Sequence, residues 1–151
     1  MTKISPFLWF DSDAEEAVEF YVSLFGNSSV TSTSRGADGA VFGMSFVLDG
    51  LECQAMNGGP GHPFSDAISL FTVAETQDEI DRLWDALSSR GGEPGRCGWL
   101  KDRWGVSWQI IPPTLGRLIS GPDAEKSARA MKAMLAMNKI DIAALQSAYD
   151  G

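Results

Sequence analysis

The stretch "PFLWFDSDAEEAVEFYVSLFG", Pro6 to Gly26, decides how this chain is read. Ile4 to Phe10 is short, aromatic and apolar, as a buried strand is; the residues after it change period. Ala14, Ala17, Val18, Tyr21, Leu24 and Phe25 recur at i, i+3, i+4 and i+7, which lines them along one side of a helix. Asp13 suits the N-cap, Glu16 the positive helix start, and Gly26 a left-handed stop. Strand and helix then recur in "DAISLFTVAETQDEIDRLWDALSSRGG", Asp66 to Gly92. There Thr76 and Glu79 have capping-box spacing, Ile80, Leu83, Trp84 and Leu87 form the apolar stripe, and Gly91 ends the helix. Setting Glu16 on Glu79 lays Ala17, Phe20, Tyr21 and Leu24 on that stripe, and the first strand on Ala67 to Val73, so the chain contains an internal repeat.

Each strand and helix is followed by further strands. Val30 to Arg35, Ala40 to Leu48 and Leu51 to Met56 are separated by the turn residues of "ADG" and "LDG"; "GGEPGRCGWLKD" and "GVSWQIIP" follow the second helix. The pattern predicts an α+β fold in one domain over 1–151: a first module at 3–57, a second at 66–113 and a helical extension at 114–151. Each module has one helix face to bury against a sheet, and two such sheets side by side would leave their other faces forming a cup. In the extension, "DAEKSARAMKAMLAMNK" and "IDIAALQSAYDG" read as two amphipathic helices capped by Asp123 and Asp141. Met131, Met134 and Met137 lie near one another on the first, where they serve core packing, a partner contact or a mobile lid over a ligand.

Composition narrows the function classes. Hydrophobic residues make up 44% and charged residues 21%, as in a packed soluble protein, and no apolar run reaches the ~20 residues of a membrane helix. The start of the chain lacks a secretory pattern, so a cytoplasmic location is expected. A net charge of −8 opposes nucleic acid and anionic membrane, which need clustered Lys and Arg. Cys53 and Cys97 have neither zinc nor disulfide spacing and are expected as buried free thiols.

"CGWLKDRWGVSWQIIPP", Cys97 to Pro113, reads as a hairpin with a type I turn from Asp102 to Gly105 and Arg103 and Trp104 at its tip. That register sets Lys101 against Val106, Trp99 against Trp108 and Gly98 against Gln109. Alternation then places Cys97, Trp99, Val106, Trp108 and Ile110 on the face under a helix, and Leu100, Ser107, Gln109 and Ile111 on the other. Gly98 leaves open space beside the Gln109 amide, which suits a small-molecule pocket as well as an amide satisfied by backbone.

The segments "PFLWFDSDAEEAVEFYVSLFG", "NGGP", "DEIDRLWDAL", "CGWLKDRWGVSWQIIPP" and "KAMLAMNKIDIAALQ" together resemble the PhnB-like proteins, often labelled 3-demethylubiquinone-9 3-methyltransferase domains. These look like members of the vicinal oxygen chelate superfamily, with glyoxalase I, extradiol dioxygenases and bleomycin resistance proteins. The resemblance implies two βαβββ modules forming a cupped, mostly antiparallel mixed sheet, commonly in a homodimer. Candidate cup-lining residues are Leu8, Phe10, Asn57, Leu100, Ser107, Gln109 and Ile111, with Glu52, His62 and Lys101 as weaker polar candidates.

Metal-dependent members place His and Glu ligands on the first and last strands of the modules. Here those positions fall near Pro6 and on Gln109; Pro6 offers no side-chain ligand and Gln109 only an uncharged amide, so neither a superfamily-type metal nor a cofactor is expected. Methyl transfer on a doubly wound fold would need a glycine-rich turn between strand and helix, whereas "NGGPG" leads into another strand. With one histidine and no nucleophile elbow, a serine hydrolase has no support. Three readings stand: a metal-independent enzyme acting on a small organic substrate through Gln109 and Asn57; a non-catalytic, ligand-sequestering protein of the bleomycin-resistance type; and a partner-binding homodimer whose C-terminal helices form the interface. Arg103 and Trp104 at the hairpin tip suit a dimer contact or a ligand equally.

Overall fold

The computed structural model describes residues 1–151, which divide into two compact units, Met1–Pro63 and Phe64–Gly151. The first contains β1 (Phe7–Phe10), α1 (Ala14–Leu24), β2 (Ser29–Arg35), β3 (Val41–Leu48) and β4 (Leu51–Asn57). Its sheet has the order β1-β4-β3-β2, with β1 parallel to β4 and the remaining pairs antiparallel. Asp49 and Gly50, at φ 45° and 82°, make the two-residue turn between β3 and β4, whose backbone twist matches that of the strands it joins. Ala14, Ala17, Val18 and Tyr21 of α1 are fully buried, on the side of the sheet carrying Met44, Phe46, Cys53 and Ala55.

Both ends of α1 depart from expectation. Asp13 holds the N-cap position but makes no side-chain cap bond. Asn57, at the end of β4, supplies it instead: its Oδ1 accepts from the Ala14 amide at 2.8 Å while its Nδ2 donates to the Val41 carbonyl at 3.2 Å. At the other end the left-handed residue is Asn27, at φ 51°, and not Gly26; asparagine tolerates that conformation at low cost.

The second unit repeats the topology with β5 (Leu70–Val73), α2 (Gln77–Leu87), β6 (Glu93–Pro94), β7 (Trp99–Lys101) and β8 (Ser107–Ile111), in the order β5-β8-β7-β6 and with β5 parallel to β8. The α2 capping box is present, and Ile80, Leu83, Trp84 and Leu87 form its buried stripe. The chain leaves the helix at Ser88 and turns through Arg90 and Gly91, both left-handed. β5 is shorter than expected because Ser65 Oγ accepts from the Ala67 amide and holds the preceding residues in a turn. The two copies also differ in facing. Phe10 is 2% exposed on the α1 side, whereas Val73, its counterpart when Glu16 is set on Glu79, is 58% exposed, and the next residue, Ala74, takes the buried position.

Beyond β8 there are three helices, not two: α3 (Pro113–Ile119), α4 (Ala124–Leu135) and α5 (Ile142–Asp150). Pro113 opens α3 because proline is preorganised for the first helical turn. Asp123 and Asp141 cap α4 and α5 through the Lys126 and Ala144 amides, as expected. Leu115, Leu118, Ala130, Ile140 and Leu145 form the core of the extension, against which Met134 and Met137 pack, while Met131 stays partly exposed. No helix is long and apolar enough to cross a membrane.

Candidate functional site

The hairpin of β7 and β8 sets the chemistry of the second unit, and its register is one residue away from the expected one. The type I turn forms, with the Gly105 amide donating to the Asp102 carbonyl at 2.9 Å. The strands, however, close one residue later, where the Asp102 amide donates to Val106 O at 2.9 Å; Gly105, at φ 89°, is the extra residue of a bulge. A type I turn followed by a left-handed glycine is the common three-residue hairpin. Trp99 therefore pairs with Gln109, Leu100 with Trp108 and Lys101 with Ser107. A one-residue slip turns a strand over. Leu100 joins Val106, Trp108 and Ile110 on the buried side, and Trp99 moves across to join Lys101, Ser107, Gln109 and Ile111. The expected Trp99–Trp108 pair does not form.

Asp102 enforces this register. It is almost fully buried; its Oδ1 accepts from the Trp104 and Val106 amides at 3.0 Å each, and its Oδ2 from the Trp108 indole at 2.9 Å. At the tip, the Arg103 guanidinium lies over the Trp104 ring at 4.2 Å.

On the face carrying Trp99, beside the β6 edge, is a cavity of about 330 Å³. Asp66, Glu93, Arg96 and Lys101 bring charge of both signs to its lining, and Trp99 and Ser107 contribute an indole and a hydroxyl. Ser107 is 2% exposed, and its Oγ has no hydrogen-bond partner. A buried hydroxyl without a partner gives up its water bonds for nothing, at a cost of about 1–3 kcal/mol. The residue borders a space large enough for a small organic molecule, but the Oγ itself is covered by its neighbours.

The other candidates are dispersed. Lys101 lines the same cavity as Ser107; Leu100 borders it too, but the residue is 1% exposed and its side chain belongs to the opposite, buried face. Gln109 sits on that face as well, but its Nε2 donates to Ser69 Oγ at 2.9 Å. Ile111 packs towards the C-terminal helices, its Cδ1 close to Gly98, so the space expected beside Gln109 is filled. Leu8 and Phe10 pair with Ala55 and Asn57 on the α1 side of the first sheet, away from its open face, and Asn57 is engaged in capping α1. Glu52 is exposed and paired with Lys3 at 3.1 Å. His62 is exposed, with its ring 4.2 Å from that of Trp9. Trp9 Nε1 donates to Gly59 O at 3.0 Å, and a Cβ on Gly58 would come within 2.2 Å of the indole. Gly58 of "NGGPG" thus lets the backbone lie against Trp9. Cys53 is buried, and burial pushes its thiol pKa up; Cys97 is only half-buried, contrary to expectation, and is left-handed at φ 57°.

At the two positions where the resemblance sets metal ligands in metal-dependent relatives, Pro6 has no side-chain donor and the Gln109 amide is neutral, its Nε2 donating to Ser69 Oγ. No three His, Cys, Asp or Glu side chains come together in a metal-holding group. Of the cavity residues that sequence reasoning missed, Trp99 depends on the hairpin register, for which the spacing from Asp102 to Gly105 was the one signal, while Asp66, Glu93 and Arg96 come from the segment before β5, from β6 and from the turn after it.

The family model for 3-demethylubiquinone-9 3-methyltransferase matches residues 2–111. Among solved structures, a putative 3-demethylubiquinone-9 3-methyltransferase, the PhnB protein from Bacillus cereus, is 36% identical, with 74% of this chain and 99% of that one covered and a TM-score of 0.66. A protein from Pseudomonas aeruginosa is 20% identical over 74% of this chain and 98% of its own, with a TM-score of 0.58. The fosfomycin resistance protein FosX from Listeria monocytogenes, solved with Mn(II) and sulfate, shares the fold at 16% identity, 73% and 91% coverage and a TM-score of 0.54. Comparison with curated proteins gives no match. With the same strand-helix-strands topology in both units, this chain belongs to the PhnB-like, 3-demethylubiquinone-9 3-methyltransferase domain family of the vicinal oxygen chelate superfamily.

Proposed function

We propose that this protein binds a small organic molecule on the open face of its second sheet, and does so without a metal ion. The observation that carries the reading is the unpartnered, buried Ser107 hydroxyl in a cavity of about 330 Å³. The ligand would have a flat or apolar part against Trp99 and a polar group for Ser107, whose covered Oγ it would reach by displacing the atoms packed over it, with Lys101 and Arg96 available to an anionic substituent. Ser107 has no hydrogen-bonded base to take its proton, so its role in this reading is to donate or accept a hydrogen bond and not to attack. That favours sequestration of the ligand over covalent catalysis. Methyl transfer gains no support from the glycines after Asn57, of which Gly58 packs on Trp9 and Gly59 accepts its indole N–H.

A homodimer belongs to the same proposal. Phe71 at 60% and Val73 at 58% exposure leave the open face of the second sheet with apolar surface for a ligand or a second copy. Native mass spectrometry of freshly purified protein, combined with elemental analysis, reports retained ligand, metal and oligomer together. A retained small molecule that disappears in Ser107→Val is the expected result. A stoichiometric transition metal would overturn the metal-free part. Retention unchanged by Ser107→Val and by Trp99→Ala would overturn the placement of the site.

A further inference from the structure

The segment that walls the cavity, Glu93 to Arg96, leads into two left-handed residues, Cys97 and Gly98, at φ 57° and 84°. That conformation is unfavourable for cysteine; the Trp99 amide closes the turn locally on Arg96 O at 3.0 Å, and bonds from outside the segment hold it as well. On one side β8 does so, with the Ile110 amide donating to Gly98 O at 2.8 Å. On the other side the link between α4 and α5 does: the Cys97 amide donates to Met137 O at 2.9 Å and the Gly98 amide to Asn138 O at 2.8 Å. The contact is tight, since a Cβ on Gly98 would meet Ile111 Cδ1 at 2.6 Å and Ile140 Cγ1 at 3.1 Å.

The link is fastened independently to α2. Gln77 Nε2 donates to Ile140 O at 3.0 Å, its Oε1 accepts from the Ile142 amide at 2.9 Å, and Lys139 Nζ lies 2.8 Å from Asp81 Oδ1. Both sets of bonds converge on residues 137–142, beyond the shared family region that ends at residue 111. About a quarter of this chain has no counterpart in the Bacillus cereus structure.

We propose that the C-terminal helices are a positioning element for the cavity: by holding the Cys97 and Gly98 amides on the Met137 and Asn138 carbonyls, they fix the wall at Glu93 to Arg96. Gln77 is a positioning residue, acting through this link. The functional meaning rests on the cavity being the ligand site, but the mechanical claim does not need a ligand to be tested.

The test is made on the full chain, with Gln77→Ala and, as a second variant, Ile140→Ala. Hydrogen exchange read by mass spectrometry is expected to rise about tenfold or more at residues 95–99 in both, with the first unit unchanged. A thiol introduced by Ser107→Cys, reacted with a small cationic methanethiosulfonate, is expected to change its rate at least about fivefold when Gln77→Ala is added; a purely structural role would not move this rate. Faster exchange confined to residues 124–151, or loosening at 95–99 with the rate at position 107 unchanged, would overturn the proposal. Both readouts are ligand-free. A protein that shows both changes yet retains no molecule in native mass spectrometry would keep the positioning role and dismiss the binding reading.

Discussion

The Trp108 indole donates to Asp102 Oδ2 at 2.9 Å, while the other oxygen of the same carboxylate holds two amides of the β7–β8 turn. One buried acid thus ties the turn to a core tryptophan, and the link exists only in the bulged register, in which Asp102 and Val106 close the strands. Asp102→Asn removes one of the two acceptor oxygens and presents an amide N–H to the indole N–H. A loss of about 1–3 kcal/mol is expected, read as a lower urea midpoint at unchanged slope. Trp108→Ala, which also empties a core site, is expected to cost about 3–5 kcal/mol or to prevent folding. A midpoint for Asp102→Asn equal to that of the parent would remove Asp102 from this role.

Ser107 separates binding from stability. Because its hydroxyl is buried and unpartnered, Ser107→Ala gives up no hydrogen bond within the protein, and the variant should be as stable as the parent or up to about 1 kcal/mol more so. Any molecule retained by the parent should be held at least about tenfold more weakly, the worth of one hydrogen bond in a dry site. Thermal melts and native mass spectra of the two proteins, compared side by side, decide this; a destabilised Ser107→Ala would mean that the hydroxyl is already satisfied.

Capping of α1 offers a contrast between two neighbouring acceptors. Asn57→Ala removes the Oδ1 that holds the Ala14 amide and leaves Val41 O without that donor, so a loss of about 1–2 kcal/mol is expected. Asp13→Ala, at the formal N-cap, should change little beyond the weak favourable charge at the helix start. Chemical denaturation of both variants is the check, and the reverse order of effects would refute the assignment.

The ion pair of Asp81 with Lys139 predicts a modest pH dependence. The hydrogen bond from Lys139, aided by that from Gln77, holds the Asp81 carboxyl below its ordinary value, and Asp81 in turn raises Lys139. For an acid whose folded pKa is lowered, the stabilisation is present above the ordinary carboxylate range and is lost as pH falls through the lowered value. The stability gap between the parent and Asp81→Asn should accordingly be measurable near neutral pH and shrink in acid. It should also shrink at about 0.5 M salt, because both groups are exposed and screened. A gap that stays constant from neutral pH into strong acid would argue against the pair.

The sequence by itself determined the two strand-helix-strands modules, the helix stripes, the Thr76–Glu79 capping box and the family. Each follows from local periodicity, or from a pairing of residues a few positions apart, and needs no knowledge of distant contacts. Tertiary structure decided which face each strand shows. In β7 and β8 that turned on one glycine: both hairpin closures fit the local sequence, and burial of the Asp102 carboxylate under the Trp108 indole selects the bulged one, exchanging Leu100 for Trp99 beside Ser107. In α1 it turned on Asn57, which reaches the helix start only once β4 has paired with β1. The hold of Met137 and Asn138 on Cys97 and Gly98 is of the same kind, since its partners are far apart in the chain and meet only when the C-terminal helices dock.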